Sequence, residues 1–259
     1  MPRMFRLLFE QLRRSGAESD VRCSCVEIYN ERIFDLINFS RTSVDVWSDE
    51  ARGLVLTGAS EVPVLSGGAA LRLFRQAVTN RKTYETAMNA TSSRSHCVFL
   101  LTVGKRLPGE AAATCSQLYL VDLAGSERVS KTHVDGERLG EAKHINRSLL
   151  ALGKVISALS GAAADSDHVP YRDSQLTRLL QNSLGGNSRT VLAVTLSPSA
   201  WNAGESLGTL RFGDMSRRIQ NTAVKNTVVG EAALSDMIAL AREHRARNEG
   251  EATPPLTRR

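Results

Sequence analysis

The sequence has few aromatic residues, no long hydrophobic run and no C-x-x-C pair of cysteines. Only 5% of its 259 residues are aromatic, and its basic stretches carry no interleaved aromatic residues, which argues against a platform for single-stranded nucleic acid. No apolar stretch approaches the roughly 20 residues of a membrane helix, and the amino terminus lacks the apolar region of a signal peptide. We therefore expect a soluble intracellular protein.

The cysteines predict free thiols. The four cysteines, which form no C-x-x-C pair, are Cys23, Cys25, Cys97 and Cys115. Of these, Cys97 and Cys115 lie in or near apolar runs. This pattern disfavours a disulfide framework or a zinc site.

Length, hydrophobicity and charge allow a single large α/β domain with an acidic partner. A chain of 259 residues, 42% of them hydrophobic, can bury one sizeable core. The net charge of +6 favours nucleic acid, an anionic membrane or an acidic protein surface, and composition does not choose among these.

The hydrophobic pattern predicts helices and strands in alternation. Helical spacing covers residues 3–14, a segment capped by Ser66, and residues 137–160 and 205–220. A further helix within 168–187 can be capped by Asp173 or Ser174. Strand-like runs cover residues 21–29, 97–103, 118–121 and 190–196, with a hairpin-like excursion within 44–64. We expect the 118–121 and 190–196 runs to be buried strands.

The stretch QLYLVDLAGSER has residues suited to ligand binding directly after one of these predicted strands. Asp122 follows the apolar run directly, and Gly125 comes three residues later. A carboxylate at this edge can hold hydrated Mg²⁺, and a glycine amide can approach a terminal phosphate closely. The alternative is a buried strand followed by an acidic turn, since short motifs often match by chance.

The octapeptide NATSSRSH, from Asn89 to His96, precedes another strand-like run. Its hydroxyls at Ser92 and Ser93 can serve a phosphate and its metal, and Arg94 can bridge oxyanions. A polar turn or a kinase site is the alternative. The pairing with Asp122 and Gly125 favours two loops that sense one terminal phosphate, as nucleotide hydrolases require.

The long helix at 137–160 carries cations on a face separate from its apolar stripe. These are Lys143, Arg147 and Lys154. Most such faces are simply solvated. A helix that begins after a phosphate-sensing loop can also carry a local shift to a distant surface.

Several stretches together resemble the kinesin motor domain. They are VRCSCVEIYNERIFDLI, NATSSRSH, LYLVDLAGSER, EAKHINRSLLALGKVISAL, HVPYRDSQLTRLLQNSLGGN and a tract ending in VKNT. The resemblance covers residues 2–227. It implies an α/β fold of the P-loop NTPase type, with a mixed central sheet flanked by helices. Residues 228–259 are expected to be a short helix and a disordered tail.

The resemblance implies an ATP and Mg²⁺ site. Asn89, Ser92 and Ser93 belong to switch I, with Ser93 as a magnesium ligand. Asp122 and Gly125 belong to switch II, with Asp122 acting on the metal through water. Arg94 and Glu127 form a salt bridge and order the attacking water.

The resemblance also implies a microtubule partner, with no nucleic acid and no membrane. The positions expected to face tubulin are Arg128, Lys143, Arg147, His168, Arg172 and Arg178. Residues 223–228 resemble the neck linker, whose docking produces the stroke. A cytoplasmic, microtubule-associated location follows, and dimerisation through segments outside this chain stays open.

The chain departs from the family pattern at several places. His144 and Gln175 replace the family's frequent Asn and Lys, and the loop at 161–167 lacks lysines. No G-x-x-x-x-G-K-[ST] sequence occurs, so the cradle for the α- and β-phosphates is absent from these residues. We therefore expect a motor domain incomplete at its amino-terminal side and of low stability alone, and we leave autonomous ATPase activity open. A nucleotide-independent microtubule-binding module is the alternative, and a myosin-like or other nucleotide switch is a remote one.

Overall fold

The computed structural model describes residues 1–38, 43–49, 53–87, 95–110, 112–125, 137–161 and 168–228. Its main sheet has the order β2-β1-β6-β7-β8, and β5 also pairs with β1. The strands are β1 Glu18–Tyr29, β2 Arg32–Asp35, β3 Asp45–Asp49, β4 Gly53–Thr57, β5 Val62–Pro63, β6 His96–Arg106, β7 Ala113–Asp122 and β8 Thr227–Val228. The helices are α1 Pro2–Arg14, α2 Gly67–Ala87, α3 Glu137–Leu159, α4 Gln175–Leu179 and α5 Ala203–Arg217.

The predicted α/β architecture is confirmed. The strand runs at 21–29 and 97–103 are β1 and β6, and the hairpin within 44–64 is the separate β3–β4 pair. The pairings between described strands are antiparallel, so any parallel part of the mixed sheet lies outside them.

Alternation along β1 and β6 gives the sheet two buried faces. On one face, odd-numbered residues such as Cys25 and Phe99 pack with Phe5 of α1 and Ala77 of α2. On the other face, even-numbered residues pack with α3, α4 and the β3–β4 hairpin. The parity of a residue at the strand ends therefore decides which helix it meets.

The turn between β1 and β2 fixes the start of α4. Asn30 and Glu31 both have positive φ, 52° and 57°, as the two central residues of a tight hairpin turn require. The Glu31 carboxylate accepts hydrogen bonds from Ser174 Oγ at 3.0 Å and from the Gln175 amide at 2.8 Å. Ser174 in turn caps α4 by accepting from the Leu176 amide, as predicted.

The prediction of a buried strand at 190–196 was wrong. In the part of the chain that the structure describes, no strand pairs with this segment, and Val191 is 94% exposed. β7 is also less buried than its apolar run predicted, since Leu118 and Val121 are each 36% exposed. The physical reason for β7 is its pairing: within the described ranges, it has a full ladder to β6 on one edge and only a two-residue ladder to β8 on the other.

The remaining predictions divide between confirmed and undescribed segments. The helices at 3–14, after Ser66, at 137–160 and at 205–220 are α1, α2, α3 and α5, and the four cysteines are free thiols. Residues 229–259, predicted to be a short helix and a tail, lie outside the described part of the chain. Within that part, no helix has the length and apolar character needed to cross a bilayer.

Candidate functional site at the carboxyl end of β7

The end of β7 presents a carboxylate and a glycine to solvent. Asp122 is the last residue of β7, and its side chain is 75% exposed. Gly125 follows in an irregular segment and is partly exposed. The predicted placement of Asp122 at a strand end beside a bare backbone amide is therefore what the structure contains.

Arg81 of α2 holds the Asp122 carboxylate from the protein interior. Its Nη1 donates to Asp122 Oδ2 at 2.9 Å, and its Nη2 donates to the Ser95 carbonyl at 3.0 Å. Its Nε lies 3.4 Å from Oε1 of Glu27, which is almost fully buried on β1. One guanidinium therefore links an exposed carboxylate, a buried carboxylate and the residue that follows NATSSR.

Strand register explains why these groups meet. Glu27 is opposite Cys97, and Cys97 is opposite Asp122, so the three side chains form a row on the face covered by α2. Ser95 completes the arrangement, because its hydroxyl donates to Glu27 Oε1 at 2.5 Å.

Cys97 also contacts the thiol of Cys25, which lies on the same face of the sheet, two residues before Glu27 on β1. Its Sγ lies 3.9 Å from Cys25 Sγ. The hydrogen bond between the two thiols lowers the pKa of Cys97; burial opposes this effect and the charge of Arg81 adds to it. The same hydrogen bond, together with burial, raises the pKa of Cys25.

His96 lies on the opposite face of the sheet and contacts the same loop. Its Nδ1 accepts a hydrogen bond from the Ala124 amide at 3.0 Å, and its Nε2 lies 2.8 Å from Ser148 Oγ of α3. Burial, and then the charge of Arg81, lower the pKa of His96 to about 4 against the opposing effect of Asp122. The imidazole is therefore neutral at physiological pH.

The exposed Asp122 carboxylate is chemically compatible with a hydrated magnesium ion. Among the described residues, no group of three or more acidic, histidine or cysteine side chains is arranged to hold a metal. Asp122 Oδ2 is engaged by Arg81, and the exposed carboxylate can accept a hydrogen bond from a metal-bound water. The water-mediated role of Asp122 stays a prediction.

Most of the other predicted site residues lie outside the described ranges. These are Asn89, Ser92, Ser93, Arg94, Glu127 and Arg128. The backbone at Lys143 belongs to α3, but its side chain is also outside the description. The convergence of the two loops, the Arg94–Glu127 salt bridge and the Ser93 metal contact therefore stay predictions.

The described residues of the predicted partner surface differ in exposure. Arg147 on α3, His168 and Arg172 are exposed. Arg178 is half-buried and donates to the Val46 carbonyl of β3 at 3.0 Å, so this side chain also braces α4 against the hairpin. Their role at a partner surface stays a prediction.

The tract after α5 is docked on the core. β8 pairs with the start of β7, and the Asn226 carbonyl accepts from the Cys115 amide. The Asn187 side chain accepts a hydrogen bond from the Val224 amide through Oδ1 at 2.6 Å and donates one through Nδ2 to Asn226 Oδ1 at 2.6 Å. The segment predicted to resemble a neck linker is thus held along β7 and the loop after α4.

Sequence reasoning missed Glu27 and Arg81 as members of this site, and it included His96 in NATSSRSH without giving it a role. A weak signal existed for Glu27, which is a lone carboxylate inside an apolar strand. Arg81 had none, because a charged residue on a helix is most often simply solvated.

The fold is α/β, and one of its strands ends in the D-x-x-G motif that is typical of the nucleotide-switch class. The family model of the kinesin motor domain matches residues 1–219. The chain belongs to the kinesin motor-domain family.

Relatives agree with this assignment over most of the chain. Kinesin-like protein KIN-1 of Arabidopsis thaliana is 45% identical over 223 residues, which are 85% of this chain and 48% of that protein. The kinesin heavy chain of Syncephalastrum racemosum is 44% identical over 240 residues, 92% of this chain and 26% of that protein. The chain therefore spans about half or less of these relatives.

Solved structures show the same fold. A fast kinesin, described with its ATPase mechanism and microtubule interactions, matches with a TM-score of 0.80 and 44% identity, covering 90% of this chain and 66% of that one. A KIF14 dimer with AMP-PNP in complex with a microtubule matches with a TM-score of 0.76 and 40% identity, covering 87% and 66%.

Proposed function

We propose that this chain supplies the nucleotide-sensing and microtubule-binding parts of an ATP-dependent, microtubule-based motor. The observation that carries the proposal is the end of β7, where an exposed Asp122 held by Arg81 stands beside Gly125. Family membership supports it, and AMP-PNP and a microtubule are present in the similar KIF14 structure.

At the nucleotide, bound Mg²⁺ would neutralise charge on the β- and γ-phosphates. Asp122 would orient a metal-bound water, Ser93 would supply a hydroxyl ligand, and the Gly125 amide would report the terminal phosphate. Arg94 and Glu127 would order the attacking water, and Asn89 and Ser92 would contact the phosphate side. Arg81 keeps the Asp122 carboxylate in place without drawing it into the core.

At the microtubule, the exposed cations of α3 and the following turn would meet an acidic surface. Arg147, His168 and Arg172 are exposed, and Lys154 lies 3.5 Å from Asp173, which ties this turn to α3. We include Arg128, Lys143 and Arg178 in the proposed surface. This function places the protein in the cytoplasm on the microtubule cytoskeleton.

The docked tract at residues 219–228 supports a mechanical role. Its bonds to Asn187 and to the start of β7 would form and break as the core changes state, in the manner of a neck linker.

A second candidate is a microtubule-binding module that ignores nucleotide. The observation that favours it is the absence of a G-x-x-x-x-G-K-[ST] sequence from these 259 residues. The two candidates share the cationic surface and differ only in whether nucleotide changes its affinity.

Co-sedimentation with taxol-stabilised microtubules, in AMP-PNP and in ADP, tests both candidates. A nucleotide-dependent affinity supports the motor function, an affinity that is equal in both supports the module, and no binding by a folded sample overturns both. Arg147→Glu and Arg172→Glu should each weaken binding at least threefold. Arg75→Glu, a charge reversal at an exposed position on α2, serves as the matched control.

A further inference from the structure

His96 uses both ring nitrogens inside the protein. The ring is 2% exposed, and its partners Ala124 and Ser148 are 5% and 3% exposed. A main-chain N–H can only donate, so Nδ1 is the acceptor and carries no proton. The remaining proton is on Nε2, which therefore donates to Ser148 Oγ.

These bonds join three parts of the chain that are far apart in sequence. His96 is the first residue of β6 and follows the NATSSRS stretch, Ala124 immediately precedes Gly125, and Ser148 lies on α3. Because water does not reach this site, a broken hydrogen bond is not replaced by one to solvent. If the Ala124 amide moves, either the His96 ring moves with it or the hydrogen bond between the amide and Nδ1 breaks.

We propose that His96 is a positioning residue that couples the Ala124–Gly125 backbone to helix α3. The inference deepens the proposed function, because it names the contact by which a change at Gly125 reaches the helix that carries Arg147. A planar ring transmits such a displacement directly, since the geometry between its two nitrogens is fixed. The neutral state, which burial favours at physiological pH, keeps both bonds available.

The first test measures the coupling without nucleotide or microtubules. Hydrogen exchange of the Ala124 amide, followed by NMR with ¹⁵N-alanine labelling, is compared in the wild-type chain and in Ser148→Ala. Ser148 does not bond Ala124, so faster exchange by about tenfold in the variant means that the ring carries the effect. Ser157→Ala, on the same helix, is the matched control. Equal exchange in all three proteins overturns the proposal.

The second test separates the two bonds. His96→Asn keeps an acceptor near the Nδ1 position and loses the reach to Ser148, whereas His96→Gln keeps a donor near the Nε2 position and loses the acceptor for Ala124. Both variants should reduce the ratio of microtubule affinities in AMP-PNP and ADP towards one, while Ser157→Ala keeps the wild-type ratio. If either histidine variant retains that ratio at wild-type thermal stability, His96 is a packing residue.

The two tests distinguish failure of this inference from failure of the proposed function. A wild-type chain that binds microtubules equally in both nucleotides contradicts the motor function, and the exchange experiment then decides the role of His96 alone. A nucleotide-dependent wild type whose histidine variants behave normally contradicts only the role of His96.

Discussion

Replacing Arg81 with methionine removes the cation beside the buried carboxylate of Glu27. The Glu27 side chain is 2% exposed and that of Arg81 is 9% exposed, so solvent cannot compensate for the lost charge. Breaking a buried ion pair by removing one partner costs about 3–5 kcal/mol. The contact with Asp122, whose side chain is 75% exposed, adds at most about 1 kcal/mol. We expect Arg81→Met to lower the free energy of unfolding by about 4 kcal/mol.

Urea unfolding followed by circular dichroism measures this loss, with Arg75→Met as the control from an exposed position on α2. The double variant Glu27→Gln/Arg81→Met should be more stable than Arg81→Met alone, because it no longer buries a charge that lacks its cation. The reasoning is refuted if the Arg81 and Arg75 variants unfold within about 1 kcal/mol of each other.

Three further predictions concern other contacts. Acidification should destabilise the fold through His96, because the pKa of this group is about 6.5 in the unfolded chain and about 4 in the folded chain. The free energy of unfolding should therefore fall by about 3 kcal/mol as the pH drops from 6.5 to 4. In urea unfolding, the free energy of unfolding of His96→Asn should depend less steeply on pH. Glu31→Ala should cost about 1–2 kcal/mol in thermal unfolding, because the first turn of α4 loses two hydrogen bonds; Glu31→Gly, which relieves the positive φ, should cost less. Asn221→Ala should speed hydrogen exchange across residues 219–228, because Asn221 forms hydrogen bonds with Ser183 and Gly185 of the loop that holds this tract. The control Asn202→Ala should leave this exchange unchanged. Unchanged exchange in Asn221→Ala would contradict a docking role for Asn221.

The sequence predicted the scaffold because local patterns determine it. Helical spacing located α1, α2, α3 and α5, and the apolar runs located β1 and β6, since each pattern reflects the face that its own element buries. Ser174 was predictable as a cap for the same reason, because the cap acts on residues two and three positions away.

The interior of the site was not predictable, because its members come from distant positions. Arg81 and Asp122 are 41 residues apart, and Ser95 and Glu27 are 68 residues apart. Only strand register places Glu27, Cys97 and Asp122 in one row, and a one-residue slip would have put them on the other face. Motif spacing gave Asp122 and Gly125 but not the arginine that holds the carboxylate.

The wrong prediction at residues 190–196 shows that a segment with the composition of a buried strand can lie in an exposed environment. A run such as TVLAVTL is typical of a strand with neighbours on both sides, because β-branched and leucine side chains gain most when both faces are covered. In the structure this segment lies against α5 on one side, where Val194 comes close to Gly213, while Val191 faces solvent. Its side chains thus have the character of a sheet interior, but among the described residues no strand pairs with it. β7 is similar: on the edge away from β6, its ladder to a described strand covers only Ala113 and Thr114. On β7 itself, the exposed apolar side chains of Leu118 and Val121 therefore lie on the same strand as the exposed carboxylate of Asp122.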